Sequence, residues 1–140
     1  SHVVMNNDPD AYNKLREAEA YSPDHKRRVY VEGDAHSTNV YIWRYDVPAN
    51  WEHRILLWNN GSINYDPVWS PLGNLIALVS ETAGNDDIWL LRADGSGTPK
   101  RLTPGTWEWD KHPPWSPDGR QIVFWSNRIT GRKQIWVMNA

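Results

Sequence analysis

The chain has 140 residues, ten of them tryptophan, a formal net charge of −2 and no cysteine. Without cysteine there are no disulfides, no thiolate chemistry and none of the usual structural zinc sites. The mild acidity, with no basic cluster beyond Lys26-Arg27-Arg28, argues against nucleic acid as a partner, and no apolar run approaches the roughly 20 residues of a membrane span.

In chain order, AYNKLREAEAY (Ala11 to Tyr21) comes nearest to helical periodicity, although it sits where a strand is expected. YSPDHKRRVYV (Tyr21 to Val31) reads as a turn followed by a strand, and VYIWRYD (Val40 to Asp46) and HRILLW (His53 to Trp58) as two further short strands. Asn60-Gly61-Ser62 fits a glycosylation acceptor, but Asn-Gly between two strands is first a tight-turn signal. In DPVWSPLGNLIALVS (Asp66 to Ser80), Pro71 cannot donate to a ladder and Gly73 supplies the turn, so one strand ends at the Trp-Ser-Pro phrase and another opens after it. DIWLLRAD (from Asp87) and PKRLT (Pro99 to Thr103) complete a set of four, with Gly95-Ser96-Gly97 as turn chemistry between them. HPPWSPDGRQIVFWS (His112 to Ser126) and QIWVMNA (from Gln134) then repeat the turn phrase and the Ile-Trp phrase.

The repeat is metric as well as verbal. Trp69 to Trp115 is a step of 46, Trp89 to Trp136 a step of 47, and VYIWRYD precedes its counterpart IWLLRAD by 48. Three copies follow, at about 18–65, 66–111 and 112–140, the last lacking a fourth strand. Four short strands per period of this length point to an all-β fold of β-propeller blades, each of four antiparallel strands. Trp69, Trp89, Trp115 and Trp136 sit at repeat positions and are expected to pack between blades, and Trp43 and Trp125, inside strands, are expected in a core or blade interface.

Trp69-Ser70-Pro71, Trp115-Ser116-Pro117-Asp118-Gly119, the Ile-Trp phrases and Arg101-Leu102-Thr103 resemble the WD40-like repeat of TolB-type β-propellers over residues 18 to 140. That resemblance implies four-stranded blades, commonly six to a ring, in bacterial proteins that often work outside the cytoplasm as binding platforms. The sequence departs from the pattern at Leu72, in place of Asp, and at Tyr21 and His25, in place of Trp and Gly.

Closed propellers use about four to eight blades, so three call for completion. Either two chains pair head to tail into a six-bladed homodimer, or the chain is a fragment of a longer propeller. In the first case the segment 1–17 supplies the missing strand of the partner's last blade, because Lys14-Leu15-Arg16 stands where Lys100-Arg101-Leu102 falls in a complete copy.

Catalytic signals are poor: there is no Gly-x-Ser-x-Gly elbow and no His-Glu-x-x-His, and the five histidines never fall at ligand spacing within one element. Asp86-Asp87 with Asp110 could add to a calcium site of oxygen ligands, but acidic turns are the simpler reading, and neither metal nor cofactor is implied. In TWEWDKH, Trp107 and Trp109 share a face if the segment is extended. With Asp110 and His112 beside them they form the candidate ligand site, since an indole can stack on a sugar or anchor a peptide; His112, aligned with Asp66, also reads as a brace at the start of an inner strand. The expected function is a noncatalytic protein-interaction or ligand-binding platform, with a protein or a glycan as ligand. The alternatives are a purely structural unit and a propeller enzyme acting on carbohydrate or peptide.

Overall fold

The computed structural model describes residues 19–103, 115–126 and 134–140, and the backbone alone at 123–126 and 134–138. Its regular elements are the strands β1 (Arg27–Gly33), β2 (Thr38–Arg44), β3 (Arg54–Asn59), β4 (Asn64–Trp69), β5 (Leu75–Ser80), β6 (Asp87–Arg92), β7 (Lys100–Arg101), β8 (Gln121–Ser126) and β9 (Gln134–Asn139). They form three sheets, β1-β2-β3, β4-β5-β6-β7 and β8-β9, in each of which chain neighbours pair, all of them antiparallel. The fold is therefore all-β, as the short β-branched and aromatic runs predict. HRILLW and PKRLT supply β3 and β7, the outermost strands of the first two sheets. The expected N-terminal strand around Lys14-Leu15-Arg16 lies outside the described residues.

The same turn recurs in each sheet, before β1, between β4 and β5, and before β8. Ser70 N–H donates to Leu75 O and Gly73 N–H to Ser70 O; Ser116 and Gln121, with Gly119, repeat this pair of bonds, and so do Ser22 and Arg27, with His25. Trp69 pairs with Ile76 at the end of the β4–β5 ladder, and Trp115 with Ile122 and Tyr21 with Arg28 as isolated bridges. The third residue after the serine is left-handed in all three copies, at φ 78 for Gly73, 69 for Gly119 and 59 for His25. Tyr21 and His25 thus keep the geometry of the Trp-Ser-Pro-Asp-Gly phrase despite their different spelling, and His25 holds a conformation that costs a side chain of its kind about 1–2 kcal/mol.

The fourth letter of the phrase carries a carboxylate with a specific task. Asp24 Oδ1 accepts from Ser22 Oγ (2.6 Å) and Lys26 N–H (3.0 Å), and Asp118 Oδ1 from Ser116 Oγ (2.6 Å) and Arg120 N–H (3.0 Å). Where Leu72 replaces the aspartate, Ser70 Oγ turns instead to Asn74 Oδ1 at 3.0 Å. Hydrogen bonds from the serine hydroxyl and then the backbone amide hold the Asp24 and Asp118 carboxyls below the ordinary 3.8, because they favour the charged form. A group whose folded pKa is depressed stabilises the fold above its unfolded pKa and loses that contribution as pH falls through the folded value. Both turns should therefore loosen below pH 3.8, and carboxyl titration by NMR should place both midpoints under that value, with Asp118→Asn removing its share of the acid dependence.

Two apolar seams join the sheets. Val29, Val40 and Ile42 of the first sheet pack with Trp69, Ile76, Leu78 and Leu91 of the second. On its other side the second sheet sends Ala77, Val79, Ile88 and Leu90 against Ile122 and the half-buried Trp115. Covered on both faces, β5 is buried at every position from Ile76 to Ser80, which is why LIALVS reads as a continuous apolar run rather than an alternation. Trp115 also crosses the second seam by a hydrogen bond from Nε1 to Val68 O (3.2 Å), and Trp58 and Trp89 meet across the first with ring centroids 5.3 Å apart. Interlocked turns extend both seams: a Cβ added at Gly119 would stand 2.7 Å from Leu72 Cγ, so the residue must be glycine for contact as well as for φ.

Trp69, Trp89 and Trp115 thus occupy the expected packing positions, whereas Trp43 is 36% exposed. Alternation explains the difference: Val40 and Ile42 of β2 turn into the first seam, leaving Trp43 on the opposite face. The side chains of Trp125 and Trp136 lie outside the described ones.

Candidate functional site

The residues predicted as a ligand site, Trp107, Trp109, Asp110 and His112, lie outside the described residues. Asp66, which aligns with His112, is left-handed at φ 51, beside the register shift between Tyr65 and Val68. Nearby, Asp87, with its side chain 1% exposed, takes a two-pronged ion pair from Arg101 Nε and Nη2, both at 2.8 Å. Burial, followed by the neighbouring Asp86, pushes the Tyr65 hydroxyl pKa well up. Asp87 is thus committed to an ion pair, and among the described residues no three His, Asp or Glu converge as metal ligands. Asn60 is committed as well: Oδ1 accepts from Ser62 N–H (3.0 Å) and Nδ2 donates to Asn64 Oδ1 (2.8 Å) and Ser80 Oγ (3.2 Å), so its amide serves a turn rather than presenting itself to solvent.

A groove of about 500 Å³ runs between the first two turns, with Pro23, Lys26, Arg27, Asp46 and Asp94 around Trp69. Asp94 there is engaged by Ser96, through its hydroxyl (2.6 Å) and its N–H (2.9 Å).

The outer face of the first sheet is more distinctive. In the second sheet the pairs Ile76/Leu91 and Leu78/Trp89 face the first seam. Shifted by the repeat step of 48, those positions become Arg28/Trp43 and Tyr30/Tyr41, which pair in the same register across β1 and β2. The aliphatic packing face of one blade is therefore an aromatic and cationic face in the blade before it. Tyr30 and Tyr41 stack at 5.6 Å; the Arg28 guanidinium lies 5.2 Å from the Tyr30 ring and that of Arg54 4.4 Å from Tyr41, distances at which a cation is attracted to a ring face. Trp43 stacks on His53 at 5.2 Å, and Leu56 is 52% exposed.

Charge on this face is unbalanced. Glu32 pairs with Arg54 at 3.7 Å, whereas Arg28 pairs with no carboxylate among the described residues and its buried Nε has no hydrogen-bond partner. Burial, opposed by Arg54 and reinforced by Glu32, raises the Tyr30 hydroxyl pKa. Nothing in the spelling of RRVYVEG alone marks the face; the available signal was that Arg28 and Tyr30 replace Ile76 and Leu78 at matching repeat positions.

Comparison with known proteins agrees with the geometry. A family profile described as the TolB beta propeller domain matches residues 12–140. The uncharacterized peptidase YuxL of Bacillus subtilis (strain 168) is 32% identical over 111 residues, which cover 74% of this chain and 16% of that protein. Among solved structures, TolB from Acinetobacter baumannii superposes with a TM-score of 0.67 at 23% identity, over 85% of this chain and 28% of that one. A TolB-type structure from Agrobacterium tumefaciens gives 0.66 at 27% identity, over 85% and 43%. The chain thus spans less than half the length of each of these relatives. Antiparallel meanders stacked face to face, a turn built three times to one plan, and a profile match over nearly the whole sequence together show that the chain belongs to the TolB beta propeller domain family.

Proposed function

We propose that the chain is a noncatalytic propeller module that acts as a protein- or ligand-binding platform, closing its ring against further blades packed on the outer face of the first sheet. The observation that carries this reading is that face itself. Arg28, Tyr30, Tyr41 and Trp43 hold the positions at which the second blade is covered by its neighbour, and they are held on paired strands that fix the ring positions before anything docks.

Two sources of the covering blades fit. The small share of each relative that the chain spans favours the remainder of a longer polypeptide. The three sheets among the described residues favour a second copy, since two trios placed head to tail make a ring of six. The peptidase name attached to one relative is the ground for testing catalysis directly.

A screen of peptides and glycans for binding, run beside chromogenic peptide and glycoside substrates, tests the module. Binding without turnover, weakened by Trp107→Ala with the melting temperature unchanged, is the expected outcome. Turnover that copurifies with the chain and disappears on a point substitution would overturn the noncatalytic reading.

A further inference from the structure

We infer that the partner of the first sheet's outer face is a β-sheet blade that presents a carboxylate to Arg28. The inference rests on the reading of that face as a blade-packing surface and adds the chemistry of its occupant. At the internal seam the equivalent residue, Ile76, is fully buried once the neighbouring blade is in place. A blade packed in the same way on the first sheet would shut the Arg28 guanidinium away from water, where a lone charge is costly unless it is paired. Among the described residues no anion pairs with it: Glu32 is turned to Arg54, and the Nε of Arg28 is buried without a hydrogen-bond partner. The aromatic rows beside it, Tyr30 on Tyr41 and Trp43 on His53, supply the apolar remainder of the contact.

The cost of an unpaired buried charge also bears on the identity of the partner. Neither β8, QIVFWS, nor β9, QIWVMN, contains a carboxylate, so these two strands of a second copy would leave Arg28 buried and unpaired. Arg28 therefore acts as a selector, penalising an uncharged sheet and rewarding an acidic one, which is how a single buried charge separates partners of similar shape.

Two synthetic β-hairpins with the same alternating valine face, one with glutamate and one with glutamine at its central position, probe this on the full chain by fluorescence anisotropy. The glutamate hairpin should bind the parent chain at least about tenfold more tightly than the glutamine hairpin. Arg28→Ile, which installs the residue of the second blade, should abolish that preference while still binding both. Equal binding of the two hairpins to the parent, or a preference that survives Arg28→Ile, would overturn the carboxylate and leave the packing face standing. Failure of both hairpins on both proteins would overturn the packing face and the inference with it.

Discussion

Arg101→Ala should lower the unfolding free energy by about 3 kcal/mol, measured by urea denaturation with the slope unchanged. Its guanidinium reaches Asp87 with two nitrogens at 2.8 Å, and the Asp87 side chain is 1% exposed while that of Arg101 is 31% exposed. Removing the cation leaves a buried carboxylate without its main counter-charge, a loss larger than the net worth of the pair itself. Arg101→Lys keeps the charge but not the two-pronged geometry, so it should fall between parent and alanine. An alanine variant as stable as the parent would mean that the pair adds nothing.

A second large effect belongs to the first seam. Leu78→Ala empties a site that is 0% exposed, within the cluster that joins the first two sheets, and should cost about 2–5 kcal/mol. Leu56→Ala provides the contrast, because its side chain stands 52% exposed on the outer face and should change stability by no more than about 0.5 kcal/mol. Comparable losses at the two sites would show that the outer face is already covered in the isolated chain.

Much of the fold was legible because the turn chemistry is local. Serine, proline and a glycine three residues after the serine dictate where one strand stops and the next begins, so the phrases around Trp69 and Trp115 located their sheets directly. The first copy shows why spelling undercounts structure: Tyr21 and His25 build the same turn, because the backbone bonds of Ser22 to Arg27 and His25 require no particular side chain at either place. Side-chain pairings across the sheet were harder to read. Asp87 and Arg101 lie 14 apart in sequence and meet through the pairing of β6 with the two-residue β7, a strand too short to announce its register. The outer face was hidden for a related reason. Strand periodicity shows that Tyr41 and Trp43 share a side, but which side a neighbour covers is decided by the stacking of sheets, and Trp43 stands 36% exposed on the side away from the first seam.

The most direct test of the account is to give the first blade the packing face of the second and ask whether it then recruits a sheet. Sedimentation velocity across micromolar concentrations would compare the parent chain with Arg28→Ile/Tyr30→Leu, which restores the pair found at Ile76 and Leu78. If the outer face is a blade-packing surface guarded by Arg28, the variant should self-associate at least about tenfold more tightly, moving from the 16.3 kDa chain toward twice that mass, while the parent lags behind. Identical sedimentation of the two proteins at every concentration, or a parent already fully paired at the lowest, would contradict it.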